Sequence, residues 1–130
     1  MLAEIHGFEW VSQNVRKCPI SNAMDIIGKK FTVLILRNMM VYKQTRFNQF
    51  LNSIEGMNPK TLAARLRELE RNGLIKRTVY AEVPARVEYH LTKKGLALKP
   101  VLEQLASFSV KHYPERIFTE TTDSPTDIRP

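Results

Sequence analysis

The spacing of apolar residues changes from three and four to two as the chain crosses Gly73, and this switch constrains the fold more than any other feature. Upstream, Leu62, Leu66 and Leu69 recur at i, i+4 and i+7, the single stripe of an amphipathic helix. Its limits are also legible. Asn58 is a favoured N-cap, Pro59 suits the first helical position because the amide hydrogen it lacks has no intrahelical partner there, and Gly73 supplies the stop. Lys60, Thr61, Ala64, Arg65 and Glu68 fall largely off the stripe and predict an outer face with the shape to enter a major groove. Downstream, residues 74–80 and 86–92 are rich in β-branched and aromatic side chains. Val87, Tyr89 and Leu91 alternate with Arg86, Glu88 and His90, so the two segments predict an antiparallel hairpin with 81–85 as its loop, stiffened by Pro84.

Other segments build a domain around this pair. Phe47, Phe50, Leu51 and Ile54 predict a short helix over 46–54, and Glu55-Gly56-Met57 turns the chain into the Asn58 cap, a helix-turn-helix layout. Residues 31–41 are apolar nearly all round and predict the helix buried at the centre. A shorter helix over 20–27 starts at Pro19 and directs Ala23, Met24 and Ile27 inward, and Met24, Met39 and Met40 read as core filler. Phe8, Val11 and Val15, with Trp10 alongside, predict an amphipathic helix over about 7–16. A long helix over 93–112 carries Leu98, Val101, Leu102, Leu105 and Phe108 on one stripe, with Pro100 kinking or restarting it. The Thr- and Pro-rich remainder, 113–130, predicts a flexible tail. The fold class is thus mainly α with a small antiparallel β-hairpin wing, a winged helix-turn-helix.

Charge narrows the partner. The formal net charge is +7, and residues 58–99 hold ten Lys or Arg against four Glu, whereas 113–130 hold two Arg against four acidic residues. The surplus sits with the helix and hairpin, favouring a polyanion there. One cysteine forms no intrachain disulfide, and three scattered histidines lack metal-site spacing, so no metal and no cofactor are expected. The longest apolar run is broken at Arg37 and Asn38, too short for a bilayer, and Glu4, His6 and Glu9 interrupt any signal-peptide core, so a cytoplasmic chain is expected. No Gly-rich phosphate loop or nucleophile-base arrangement is present, which predicts that the chain is not an enzyme.

Cys18-Pro19, residues 23–37, Arg46-Phe47-Asn48-Gln49-Phe50, Asn58-Pro59-Lys60-Thr61-Leu62 and the run 73–92 together resemble the HxlR family of winged helix-turn-helix transcriptional regulators, within the MarR-like superfamily. The likeness spans about Cys18 to Phe108. Lys30-Phe31 stands where that family commonly has Lys-Trp. The resemblance implies a dimeric, sequence-specific DNA-binding regulator, either repressor or activator, on a roughly palindromic duplex. It also implies three parts: an N-terminal helical arm (1–17), a winged domain with a C-terminal dimerisation helix (18–112) and the tail (113–130). Phe8, Trp10, Val11, Val101, Leu102, Leu105 and Phe108 are then the dimer candidates.

The DNA candidates are Asn58, Lys60, Thr61, Ala64 and Arg65 on the helix, Arg86 on the wing beside the minor groove, and Arg77, Lys76 and Lys43 toward phosphates. For each the alternative is a solvated face, and for Asn58 a cap alone. The alternative for the whole chain is a winged protein-interaction module that binds nucleic acid only non-specifically. Cys18, at a helix N-cap with Arg16 and Lys17 adjacent, is set where thiolate is favoured; the resemblance implies an oxidant- or electrophile-sensing candidate, the alternative being an inert thiol. The operator and the effector, small molecule or oxidant, are not legible.

Overall fold

The computed structural model describes residues 7–119. Helices α1 (Pro19–Ile27), α2 (Thr32–Val41), α3 (Phe47–Ser53) and α4 (Pro59–Arg71) lead into strands β1 (Ile75–Tyr80) and β2 (Arg86–Leu91), then α5 (Lys93–Leu96), α6 (Lys99–His112) and α7 (Pro114–Ile117). The core is built from one face of each central element: Ile35, Leu36 and Met39 of α2, Phe50 of α3, and Leu62, Leu66 and Leu69 of α4. Leu74, Ile75 and Tyr89 close it from the base of the hairpin. Each fully buried side chain of this size contributes about 1.5–3 kcal/mol, so the leucine stripe alone fixes how α4 is rotated.

The ends of α4 follow the sequence. Asn58 Oδ1 accepts the Thr61 amide at 2.9 Å. At the far end Gly73, at φ 76°, lets its amide reach Glu70 O at 3.0 Å and the Leu74 amide reach Leu69 O at 2.9 Å, the paired bonds of a Schellman stop. The chain therefore enters β1 directly. The strands pair antiparallel from Ile75 with Leu91 to Tyr80 with Arg86. On β2 Tyr89 is buried and donates its amide to Thr45 O at 2.8 Å, so the α2–α3 connection braces the hairpin. Gly95 of α5 sits where a Cβ would lie 2.1 Å from Leu74 O, a closeness only glycine permits.

Helix α2 differs from the predicted cylinder at both ends and in its middle. Phe31 precedes it at φ 75°, in the left-handed region, and Val41 is exposed. Asn38 is fully buried at its centre: Oδ1 accepts Arg37 Nε at 2.9 Å and Nη2 at 2.7 Å, while Nδ2 donates to Gln44 Oε1 at 3.0 Å and Ser53 Oγ at 2.9 Å. A satisfied amide of this kind ties α2 to α3 as specifically as apolar packing does. At the start of α3, Gln49 Oε1 accepts the amides of Thr45 and Arg46, both at 2.9 Å, the glutamine half of a capping box.

Three expectations are corrected, and one left open is decided. The helix expected over 7–16 is a single 3-10 turn, Glu9–Ser12, with Phe8 and Val11 exposed; so short an amphipathic segment forms a helix only against a surface, and the described residues offer none. Met24 is exposed, and Ala23 stays exposed at the edge of a crevice with Leu74 and Leu98, because α1 meets the core only at its last turn through Ile26 and Ile27. Of the two outcomes open at Pro100, a kink or a restart, the chain takes the restart: 93–112 form two helices, α5 and α6, with Pro100 in the first turn of the second. Residues 114–117 of the expected tail form the turn α7, while 120–130, like residues 1–6 of the arm, lie outside the described residues.

Candidate nucleic-acid interface

Helix α4 supplies the centre of the site. With Leu62, Leu66 and Leu69 inward, a helical advance of about 100° per residue sets Lys60, Ala64, Arg67 and Arg71 on the opposite side. Lys60, Arg67 and Arg71 are exposed, while Thr61 and Ala64 are half-buried on the first two turns. Among the described residues, no hydrogen bond or ion pair engages those three cations. They are charges available to a ligand.

Arg65 is placed differently from the outward projection its position suggests. Its Nε donates to Lys30 O at 2.9 Å, and its Nη1 lies 3.4 Å from Glu68 Oε2. The reason is rotational: Arg65 lies on the flank of the leucine stripe, toward the α1–α2 turn, where the backbone just before left-handed Phe31 presents a carbonyl. Lys29 reaches the same glutamate, with Nζ 3.0 Å from Glu68 Oε2. Burial opposes ionisation of Glu68, but the Lys29 hydrogen bond and the nearby Arg65 charge outweigh it and hold the carboxyl below its ordinary range. The cluster fastens α4 to the turn between α1 and α2.

On the wing, Arg86 is also tied inward. Its Nη1 donates to Glu88 Oε2 at 2.7 Å, its Nη2 to Glu82 Oε1 at 3.1 Å, and its Cζ lies 3.9 Å from the Tyr80 ring centroid. His90 Nε2 lies 3.0 Å from the other Glu88 oxygen. That hydrogen bond is the main influence on Glu88; burial acts against it, the Arg86 charge adds to it, and the carboxyl titrates below its ordinary range. The free guanidinium expected at the wing is thus a brace across the strand pair, because Tyr80 stands opposite Arg86 in the register. Lys76 and Arg77 on β1 remain exposed, with no side-chain hydrogen bond or ion pair among the described residues. Lys43, at φ 56°, is exposed but borders a crevice with Thr45, Tyr89 and His90 at the base of the hairpin, away from its tip.

Three cations outside the sequence-based site join this surface. Arg46 caps α3 and lines a crevice with Phe47, Asn48, Ala85 and Val87, between α3 and the wing. Arg67 and Arg71, which share a face at i, i+4, stand exposed on the outer side of α4 with no hydrogen bond or ion pair among the described residues. The signal for Arg67 was its angle from the leucine stripe; for Arg46 only the packing of α3 beside the wing supplies one.

Cys18 caps α1 and is half-buried. The backbone amide and hydroxyl of Ser21 are the main causes that hold its thiol below the ordinary value, against a smaller opposing effect of burial. Lys17, expected to favour the thiolate, instead pairs with Asp25. The described residues contain no group of three metal-ligating side chains and no helix long and apolar enough to cross a membrane.

Residues 26–117 match the HxlR-like helix-turn-helix family. The chain is 45% identical over 85 residues to the HTH-type transcriptional regulator sll1512 of Synechocystis sp., a match covering 65% of this chain and 62% of that protein. It is 38% identical over 111 residues to the HTH-type transcriptional regulator YdeP of Bacillus subtilis, covering 85% of each. Among solved structures, the redox regulator HypR in its oxidized form superposes with a TM-score of 0.67 at 34% identity, over 73% of this chain and 97% of that one.

Proposed function

The chain belongs to the HxlR-like helix-turn-helix family of transcriptional regulators, and on that premise we propose that it acts as a homodimer on a roughly palindromic duplex. One α4 enters the major groove of each half-site, with half-site centres about 34 Å apart. The observation that carries this reading is the unpaired face of Lys60, Arg67 and Arg71 on a helix whose other side is locked by three buried leucines. Thr61 and Ala64 border that face on the turns that approach base edges, and Asn58 caps the helix while presenting its amide nitrogen toward a phosphate. Arg77, Lys76, Arg46 and Lys43 supply phosphate contacts around it. Arg65 and Arg86 act as positioning residues that hold α4 and the wing.

The dimer reading rests on Val101, Leu105 and Phe108, which line one side of α6 and are 42%, 52% and 57% exposed in the single chain. Half-buried Leu102 borders them, and in this reading Phe8, Trp10 and Val11 of the arm, of which Phe8 and Val11 are exposed, join the pairing. Selection from random duplexes at fixed salt tests the reading. A two-fold motif that survives excess unrelated duplex is expected, and the absence of any enriched motif would overturn it in favour of a protein-docking module.

We further propose that Cys18 is the oxidant-responsive group. A lowered thiol pKa at a helix cap and the similarity to HypR, itself a redox regulator, support it. Diamide should change operator affinity for the native chain and leave the Cys18→Ser variant unmoved; an equal response of both removes the proposal.

A further inference from the structure

Ala64 is the odd member of the outward row on α4. At about 100° per residue it stands roughly 140–160° around the helix from Leu62, Leu66 and Leu69, as squarely opposed to the core as the cations are. Lys60 lies about 6 Å before it along the axis, and Arg67 and Arg71 about 4.5 Å and about 10.5 Å beyond it, at about 1.5 Å per residue. Those three cations are long and exposed, whereas Ala64 ends at Cβ and is half-buried. The row therefore carries an apolar notch between charges. Its acidic neighbour one turn on is drawn away from it: Glu68 pairs with Lys29 Nζ at 3.0 Å and Arg65 Nη1 at 3.4 Å, on the flank toward the α1–α2 turn. Thr61, one turn before, borders the notch from the same flank, its amide spent on the Asn58 cap.

A helix seated in the major groove meets base edges of different chemistry. Guanine offers N7 and O6, adenine N7 and an amino group, cytosine an amino group; thymine alone adds a methyl. A polar edge pressed against the Ala64 Cβ would give up water with nothing in exchange, while a methyl there is buried against another methyl. Lys60 and Arg67 on either side are donors only, suited to guanine edges or phosphates. We propose that Ala64 is a specificity-determining residue of α4 that reads a thymine methyl, so that each half-site holds a required thymine between the positions met by Lys60 and Arg67. This inference rests on the proposed function and names what that helix selects. It puts base preference on a residue with no hydrogen-bonding side chain, while Arg65, whose residue type suits guanine, is turned back to Lys30 O.

The full chain is titrated with the duplex it selects from a random pool, each dT in turn replaced by dU, which removes only the methyl. One thymine position per half-site should respond, affinity falling about fourfold when one half-site is changed and on the order of 16-fold when both are, as one buried methyl at each allows. Ala64→Ser, which adds only a hydroxyl, should bind the dT and dU duplexes alike. Thr61→Ser, which loses a methyl and keeps its hydroxyl, should leave the dT preference in place. Ala64→Gln should change the base selected at that position from thymine to adenine, whose N6 and N7 match a side-chain amide. All three substitutions lie off the leucine face of α4, so they report on readout rather than on folding. A selected motif with no methyl-sensitive thymine would overturn the inference while leaving the regulator reading intact, as would a sensitivity that survives Ala64→Ser or disappears in Thr61→Ser. A chain that selects no motif at all overturns the regulator reading and this inference with it.

Discussion

Helix α4 and the wing carry comparable positive charge and use it in opposite ways. On α4 the outward cations Lys60, Arg67 and Arg71 are unpaired, and the one arginine on the flank, Arg65, is turned back to Lys30 O and Glu68. On the wing the arginine nearest the loop is consumed by Glu82, Glu88 and the Tyr80 ring, and the free charges lie farther down β1 at Lys76 and Arg77. The difference follows from what each element packs against. A helix with one buried stripe leaves its opposite side empty, whereas a two-stranded ribbon must use the side chains of its own outer face to hold itself together, since an isolated hairpin is marginally stable in water. A segment's net charge therefore sets an upper limit on the charge it can offer.

The comparison breaks most readily at its anchors. Leu66→Ala should cost about 2–5 kcal/mol in urea or thermal unfolding, as a fully buried leucine does, while Val79→Ala on the exposed face of the wing should stay within about 0.5 kcal/mol. Similar costs would mean the wing is packed as α4 is. Next, Lys60→Ala and Arg67→Ala should each reduce the slope of log affinity against log salt by about 1, whereas Arg86→Ala should leave the slope unchanged and instead speed amide exchange in β1 and β2. An equal slope change for Arg86 would return it to the phosphate contacts. Asn58→Ala should lose about 1 kcal/mol of stability, measured by denaturant midpoint, because it frees the Thr61 amide.

The smallest effect is on pH. Glu88 titrates lower in the folded chain than unfolded, so its contribution to the wing is full above the unfolded carboxylate range and is lost as pH falls through its lower folded value. Amide protection across β1 and β2 should fall on acidification below about pH 4, with Glu88→Gln flattening the response. A pH-independent hairpin would detach Glu88 from wing stability.

Much of the fold is legible because periodicity and capping are local. Residues 58–73 carry the stripe, both caps and the stop, and the alternation of Val87, Tyr89 and Leu91 specifies which strand face goes inward. The α5–α6 break is legible at Pro100 only as one of two outcomes, since a proline both kinks and restarts helices and packing chooses. Met24 misleads for a related reason: apolar spacing gives a helix an inward face, but only the docking of α1 by its last turn decides how much of that face is covered.

The site was less legible than the fold. Residue type and helical angle identify which cations face away from the leucines, and by that measure Arg67 belongs with Lys60. No local pattern announces that Lys30 O would capture Arg65, that Glu82 and Glu88 would converge on Arg86, or that buried Asn38 would join Arg37 to Ser53. Those pairings link residues brought together by the α1–α2 turn, the hairpin register and the crossing of α2 with α3. Sequence by itself determined the elements, their buried faces and the basic character of the helix-hairpin unit, because these depend on neighbours within a turn or two. Tertiary structure alone decided which charges are engaged and which are free, because a hydrogen bond depends on the few ångströms between groups that the chain keeps far apart.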